Sequence, residues 1–196
     1  APSRWGSWGA LRHLDDATPR WDALMRYNET GPDWERRAPG SFDDGVTLGG
    51  GEAAERLVGT PEEDLLLGGG GDDELFGESG ADTLTGGTGS DHFIYESRLD
   101  SGVGSENFDT ITDFEAGGAG TAVDFIDISA TVQGTFSFVG AETVAFSGSG
   151  NSSARFNNAS KILEIDADGD AVKDMEIKLN DVTGSNLGTE DFDTPI

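Results

Sequence analysis

The sequence predicts a mainly β fold: a right-handed parallel β-roll over about 46–94, an antiparallel cap to the C-terminus, and a short helical segment at the N-terminus. Three observations predict it. Four nine-residue blocks follow one another without a gap: GTPEEDLLL (59–67), GGGGDDELF (68–76), GESGADTLT (77–85) and GGTGSDHFI (86–94). In all four, position one is Gly (Gly59, Gly68, Gly77, Gly86), position six is Asp (Asp64, Asp73, Asp82, Asp91) and position eight is large and apolar (Leu66, Leu75, Leu84, Phe93). The apolar phase also runs upstream through Leu57 and Leu48, the first of these in a weaker block, GGEAAERLV (50–58), with Glu55 at position six.

Each repeat divides into a turn and a strand. Six residues rich in Gly and Asp hold neither helix nor strand, but Gly accepts positive φ at little cost and so permits a tight turn. Three residues then make one short strand whose middle side chain points to one face. That inward residue is position eight. Each nine-residue unit reverses the chain, so successive strands stack into two parallel sheets, and the position-six carboxylates fall in rows at the turns. Two carboxylates about 5 Å apart repel by roughly 3 kcal/mol at an effective dielectric near 20. A row of them beside open glycine carbonyls suits a hard cation. Six or more oxygens in flexible geometry favour Ca²⁺ over Mg²⁺.

These blocks resemble the RTX (repeats-in-toxin) family, a nine-residue calcium-binding repeat. The resemblance implies that each Ca²⁺ lies between one turn and the next but one. Its ligands would be position-six carboxylates and carbonyls of positions one, two and four. Carried over, Asp64 pairs with Asp82 and Asp73 with Asp91. Carbonyls come from Gly68, Gly69, Gly71, Gly77, Glu78, Gly80, Gly86, Gly87 and Gly89, and Glu55 takes the position-six place in the upstream block. The first block departs from the pattern at Pro61 and Glu62.

Charge agrees with bound cations. The chain carries 38 acidic and 12 basic residues, a net −26 over 196 residues. Such self-repulsion calls for cations or high salt and argues against nucleic acid as a partner. There is no Cys, which fits export without disulfides and also fits a cytosolic protein. No apolar run is long enough to span a bilayer, and no cleavable signal peptide is visible.

Residues 1–40 hold six of the 12 basic residues, six of the 38 acidic ones and all four Trp. This shift marks a domain boundary near Pro39–Gly45, giving an N-terminal segment 1–45, a roll 46–94 and a C-terminal part 95–196. Thr18 and Pro19 read as a helix start. Trp21, Leu24, Met25 and Asn28 follow at helical spacing, and Gly31-Pro32 is the stop. Forty residues are too few for a core of their own. The segment therefore packs on the roll or is the tail of an upstream domain. The stretch WGSWGALRHLDD…TPRWDAL resembles the closing segment of some barrel-type glycoside hydrolases. The Trp cluster reads as packing or as a carbohydrate platform.

Beyond the repeats, DTITDF (109–114), DFIDIS (124–129), ARFNNASKILEIDADGDAVKDMEIKL (154–179) and TEDF (189–192) resemble the C-terminal domain of serralysin-type secreted metalloproteases. Strands are expected independently at 110–112, 125–128, 135–139, 162–165 and 175–179, apolar or alternating runs between Gly, Asn and Asp breakers. The resemblance implies an antiparallel cap, and one more ion near Glu106, Asp109 and Asp113. Asp166, Asp168, Asp170 and Asp174 match calcium-loop positions one, three, five and nine. Ala171 and Ile177 stand where an EF-hand needs Gly and an acid, so the segment reads as a hairpin loop and only secondarily as a metal site. His92 reads as a surface strand residue.

No HExxH, GxSxG or P-loop is present, so the protease activity does not carry over and no catalytic residue is assigned. Three functions stand. The first is a calcium-binding C-terminal module of an exported protein; by resemblance it folds outside a Gram-negative-type bacterium after leaving through type I secretion machinery. The second is a fragment of a secreted hydrolase whose catalytic domain lies upstream. The third is a calcium-driven assembly or adhesion module, as in surface layers.

Overall fold

The computed structural model describes residues 45–104, 107–117, 123–182, 184 and 186–194, with three earlier strands described by their backbone alone. Those three are β1 (Trp8–Ala10), β2 (Leu24–Tyr27) and β3 (Trp34–Arg37). The repeats supply β4 (Thr47–Gly49), β5 (Arg56–Val58), β6 (Leu65–Gly70), β7 (Glu74–Phe76), β8 (Thr83–Thr88) and β9 (His92–Ile94). After them come β10 (Asp109–Ile111), β11 (Phe125–Asp127), β12 (Ser137–Ala141), β13 (Ser153–Asn157), β14 (Ile162–Asp166), β15 (Met175–Leu179) and β16 (Phe192–Asp193). Among the described residues the helical structure is one 3-10 turn, Thr189–Asp191.

Successive repeat strands go alternately to two sheets, as a turn every nine residues requires. One sheet runs β1-β2-β3-β5-β7-β9-β11-β16 and the other β12-β13-β14-β15-β10-β8-β6-β4. All pairings among β4 to β9 are parallel, and position eight faces position eight. Leu48, Leu66 and Leu84 stack in one sheet, Leu57, Leu75 and Phe93 in the other. Both ladders are buried in a single core. One inward side chain per strand is thin, so the core depends on every layer being present.

The roll outlasts the repeats. Ile111 on β10 pairs with Leu84, and Ile126 on β11 pairs with Phe93, both in parallel register. Leu179 on β15 and Phe192 on β16 extend the same two ladders. The predicted antiparallel cap is therefore corrected in part. β13, β14 and β15 form an antiparallel meander, but β10, β11 and β16 continue the parallel roll, and β12 joins β13 in parallel. The reason lies in the sequence: Asp109-Thr110-Ile111 and Asp124-Phe125-Ile126 repeat the Asp-x-apolar signature after longer loops.

The helix expected from Thr18 is also corrected where it is described. Leu24–Tyr27 is a strand, antiparallel to β1 and β3, and β3 lies parallel to β5. Pairing onto the sheet's edge overrides helical spacing, a weak prior. The other residues of that segment, and Glu106, lie outside the described residues.

Candidate metal centre

The position-six side chains form two rows of hydrogen-bonded carboxylates. In the first row, the backbone N–H of Val46 donates to Asp64 Oδ1 (2.5 Å), that of Asp64 to Asp82 Oδ1 (2.8 Å) and that of Asp82 to Asp109 Oδ1 (2.9 Å). In the second, the backbone N–H of Glu55 donates to Asp73 Oδ1 (2.8 Å), that of Asp73 to Asp91 Oδ1 (2.9 Å) and that of Asp91 to Asp124 Oδ1 (3.0 Å). Each aspartate thus ties its own layer to the one before it. Short apolar residues could not do this, which gives position six a structural reason beside any metal.

One oxygen of each aspartate is committed to that ladder. The second oxygens of Asp73, Asp82 and Asp91 are buried and have no hydrogen-bond partner among the described residues, and that of Asp109 is buried beside the Tyr95 hydroxyl. An ionised carboxylate left in this state is costly. Burial, with backbone hydrogen bonds opposing it, pushes Asp73 up to about 6 and Asp109 up to about 8. Burial and the Asp109 charge push Asp82 up to about 9. Asp91 is raised too, chiefly by burial.

Position one is glycine because those second oxygens need its space. A Cβ on Gly59, Gly68, Gly77 or Gly86 would collide with the Oδ2 of the Asp in its own block. At Gly68 the Gly86 carbonyl oxygen meets the same point, and at Gly59 the Gly77 carbonyl oxygen does. Carboxylate and carbonyl oxygens therefore converge.

The turns of blocks two, three and four share one backbone form. Positions two and four are left-handed: Gly69 (φ 108°) and Gly71 (φ 105°), Glu78 (φ 67°) and Gly80 (φ 145°), Gly87 (φ 104°) and Gly89 (φ 141°). Only Glu78 adopts it without being glycine. The Gly69 and Gly71 carbonyls lie against Gly87 and Gly89 of the next layer. Buried, unpartnered carboxylate oxygens among converging carbonyls fit a hard cation with oxygen ligands.

The remaining expected residues divide. Asp109 joins the first row, whereas Asp113 accepts from the N–H groups of Gly86 (3.0 Å) and Gly87 (2.9 Å). Asp166, Asp168 and Asp174 bring one carboxylate oxygen each within 4.8 Å of one another, in the β14–β15 hairpin loop that the sequence suggested. This cluster is already satisfied. Asp166 accepts from Gly169 (2.8 Å) and Ala171 (2.9 Å), and Arg98 donates to Asp168 (2.8 Å) and Asp174 (3.3 Å). Asp170 accepts from the Val172 N–H (2.8 Å). His92 lies in β9, stacked on Phe125 and paired with Asp193 (3.1 Å).

The sequence reading missed Asp124 and Asp100. Asp124 ends the second row, accepting a second bond from the Glu115 N–H (2.8 Å), and burial raises it to about 6. Its Asp-x-apolar spacing was the available signal. Asp100 accepts from Glu96 and Ser97 (2.8 Å each), and burial raises it as well. It stands nine residues after Asp91, in repeat phase, but its block YESRLDSGV (95–103) has neither Gly at position one nor an apolar residue at position eight.

Residues 53–193 match the family model described as peptidase M10 serralysin C terminal. The chain belongs to this family. Among solved structures it is similar to the AlgE6R3 subunit of the Azotobacter vinelandii mannuronan C5-epimerase. That solution structure is 25% identical with a TM-score of 0.54, covering 79% of this chain and 81% of that one. The AlgE6R2 subunit of the same epimerase is 24% identical with a TM-score of 0.47, covering 80% of this chain and 97% of that one. No curated protein matches. A serralysin C-terminal domain built on this repeat is a calcium-binding module of secreted proteins. No helix among the described residues is long and apolar enough to cross a membrane.

Proposed function

We propose that this chain is the calcium-dependent folding module of an exported protein, with Asp73, Asp82, Asp91 and Asp109 as its carboxylate ligands. Carbonyls of the turns 68–71, 77–80 and 86–89 complete the donor set. The observation that carries this reading is the set of three buried carboxylate oxygens, on Asp73, Asp82 and Asp91, without a hydrogen-bond partner among the described residues. Bound calcium supplies positive charge to oxygens that the fold has already removed from water. The chain's own part is to hold those oxygens converged, through the N–H ladder and the glycine turns. Without cations, the same oxygens must carry protons or repel.

By family resemblance, the protein would leave the cell unfolded through type I secretion machinery and fold outside, where calcium is abundant. Residues 1–45 would then be the tail of an upstream catalytic domain, a hydrolase by the resemblance of that segment. The divisions at 45/46 and 94/95 belong to the same proposal. Urea unfolding at increasing Ca²⁺ tests the calcium reading. Each site at 100 times its dissociation constant adds about 2.7 kcal/mol, so the unfolding midpoint should climb steadily with calcium. A midpoint that stays put from EGTA to excess Ca²⁺ contradicts it.

A further inference from the structure

We infer that the first two turns of the roll, 50–55 and 59–64, are caps that replace the cation with the chain's own hydrogen-bond donors, so that cation-dependent folding begins at Gly68. This rests on the calcium reading above. The departure lies at Asp64, which stands at position six like its neighbours. Its Oδ2 accepts the Thr60 N–H at 2.5 Å, and the Thr60 hydroxyl reaches both carboxylate oxygens, at 3.1 and 3.3 Å. Its Oδ1 accepts the Val46 N–H. Asp64 is thus absent from the buried oxygens that lack a partner, whereas Asp73, Asp82 and Asp91 all contribute one.

The turn before it repeats the device on the other side of the roll. The Gly51 N–H donates to Glu55 Oε2 at 2.6 Å, across the same four-residue span as Thr60 and Asp64. Glu55 thus reaches back to a donor within its own turn, as Asp64 does.

Backbone form separates the two classes independently. The turns 68–73, 77–82 and 86–91 each have left-handed residues at positions two and four. The turns 50–55 and 59–64 have none. Pro61 explains the second case: the residue before proline is held in the extended region, so Thr60 cannot turn left-handed. Extended, Thr60 directs its N–H at its own Asp64. Glu62 at position four lacks the freedom of glycine to take positive φ. Gly59 is nevertheless retained, because the Asp64 oxygen still needs its space. The first block therefore keeps the ladder and the core, and surrenders the metal.

Calorimetric titration of the full chain with CaCl₂, after removal of calcium by chelator, counts the ions. Asp64→Asn should leave the count unchanged and the affinities within about twofold, while Asp73→Asn loses an ion. The triple variant Thr60→Gly, Pro61→Gly, Glu62→Gly should gain one. If Asp64→Asn fails to fold, the glycine variant decides alone. A wild-type chain that binds no calcium sinks the functional reading itself. A wild-type chain that binds calcium, but loses an ion with Asp64→Asn or gains none with the glycines, overturns the caps only.

Discussion

At the scale of single residues, the contrast between two buried aspartates separates a proposed cation ligand from a loop constraint. Asp82 has one oxygen on the Asp64 N–H and the other without a partner; Asp166 has both oxygens on backbone N–H groups of its own loop. Asp82→Asn or Asp73→Asn should lower calcium affinity roughly tenfold or more, the scale of a charged contact worth ~1.5–3 kcal/mol. Asp166→Asn should leave calcium affinity unchanged and lower stability by about 1–3 kcal/mol. Titration and urea unfolding of the three variants check this; equal losses of affinity would contradict the ranking. The same residues set a pH dependence. Asp73 and Asp124 rise to about 6, Asp109 to about 8 and Asp82 to about 9, from an ordinary 3.8. A raised carboxyl pKa favours the metal-free fold below pH ~4, and that contribution is lost as pH rises through about 6 to 9. Metal-free β structure should therefore be strongest at low pH and weaken as pH rises across that window. Circular dichroism in EGTA from about pH 4 to about pH 9 checks this; a β signal that does not fall would contradict protonated ladders.

At the scale of elements, glycine position matters more than glycine content. Gly77→Ala would drive a Cβ into the Asp82 carboxylate, whereas a Cβ at Gly49 in β4 meets no atom within 4 Å. Gly77→Ala should cost about 1–3 kcal/mol of overpacking and weaken calcium binding with it. Gly49→Ala should be neutral or stabilise by ~0.4–1 kcal/mol. Melting curves of both in excess calcium distinguish them; equal shifts would remove the steric account of position one. Element by element, the sequence disclosed what was periodic. Leu66, Leu75, Leu84 and Phe93 announced their strands, because period nine leaves one place for the core residue. Ile111 still stands in phase, 18 residues after Phe93, but the block between has Gly102 in the core place; Ile126 follows 15 residues later, out of phase, and there only the local Asp-x-apolar pattern remained. At β2, the residue types Leu24, Met25 and Tyr27 serve a helix or a strand equally, and pairing with β1 and β3 decides. In the site, Asp73, Asp82 and Asp91 were legible from phase. Thr60 as a substitute donor was not, because a hydrogen bond back to one's own repeat leaves no periodic trace.

At the scale of the whole molecule, two sheets that are parallel through the roll share one core, and two rows of carboxylates run along its turns. Ordering nine residues per repeat costs roughly 1–2 kcal/mol each in backbone entropy, against one buried apolar side chain per strand. A chain of net charge −26 adds its own repulsion. On the proposed reading, cations at the rows address both deficits at once, and folding and calcium binding become a single event. The proposed caps at 50–55 and 59–64 and the meander β13–β15 would bound the region where this coupling acts. The most direct measurement is far-ultraviolet circular dichroism with limited proteolysis, first in EGTA and then in millimolar Ca²⁺. The account predicts weak β signal and rapid cleavage within 68–94 in EGTA, then full β signal and resistance once calcium is added. A chain that keeps its β signal and its resistance across 68–94 in EGTA would contradict it.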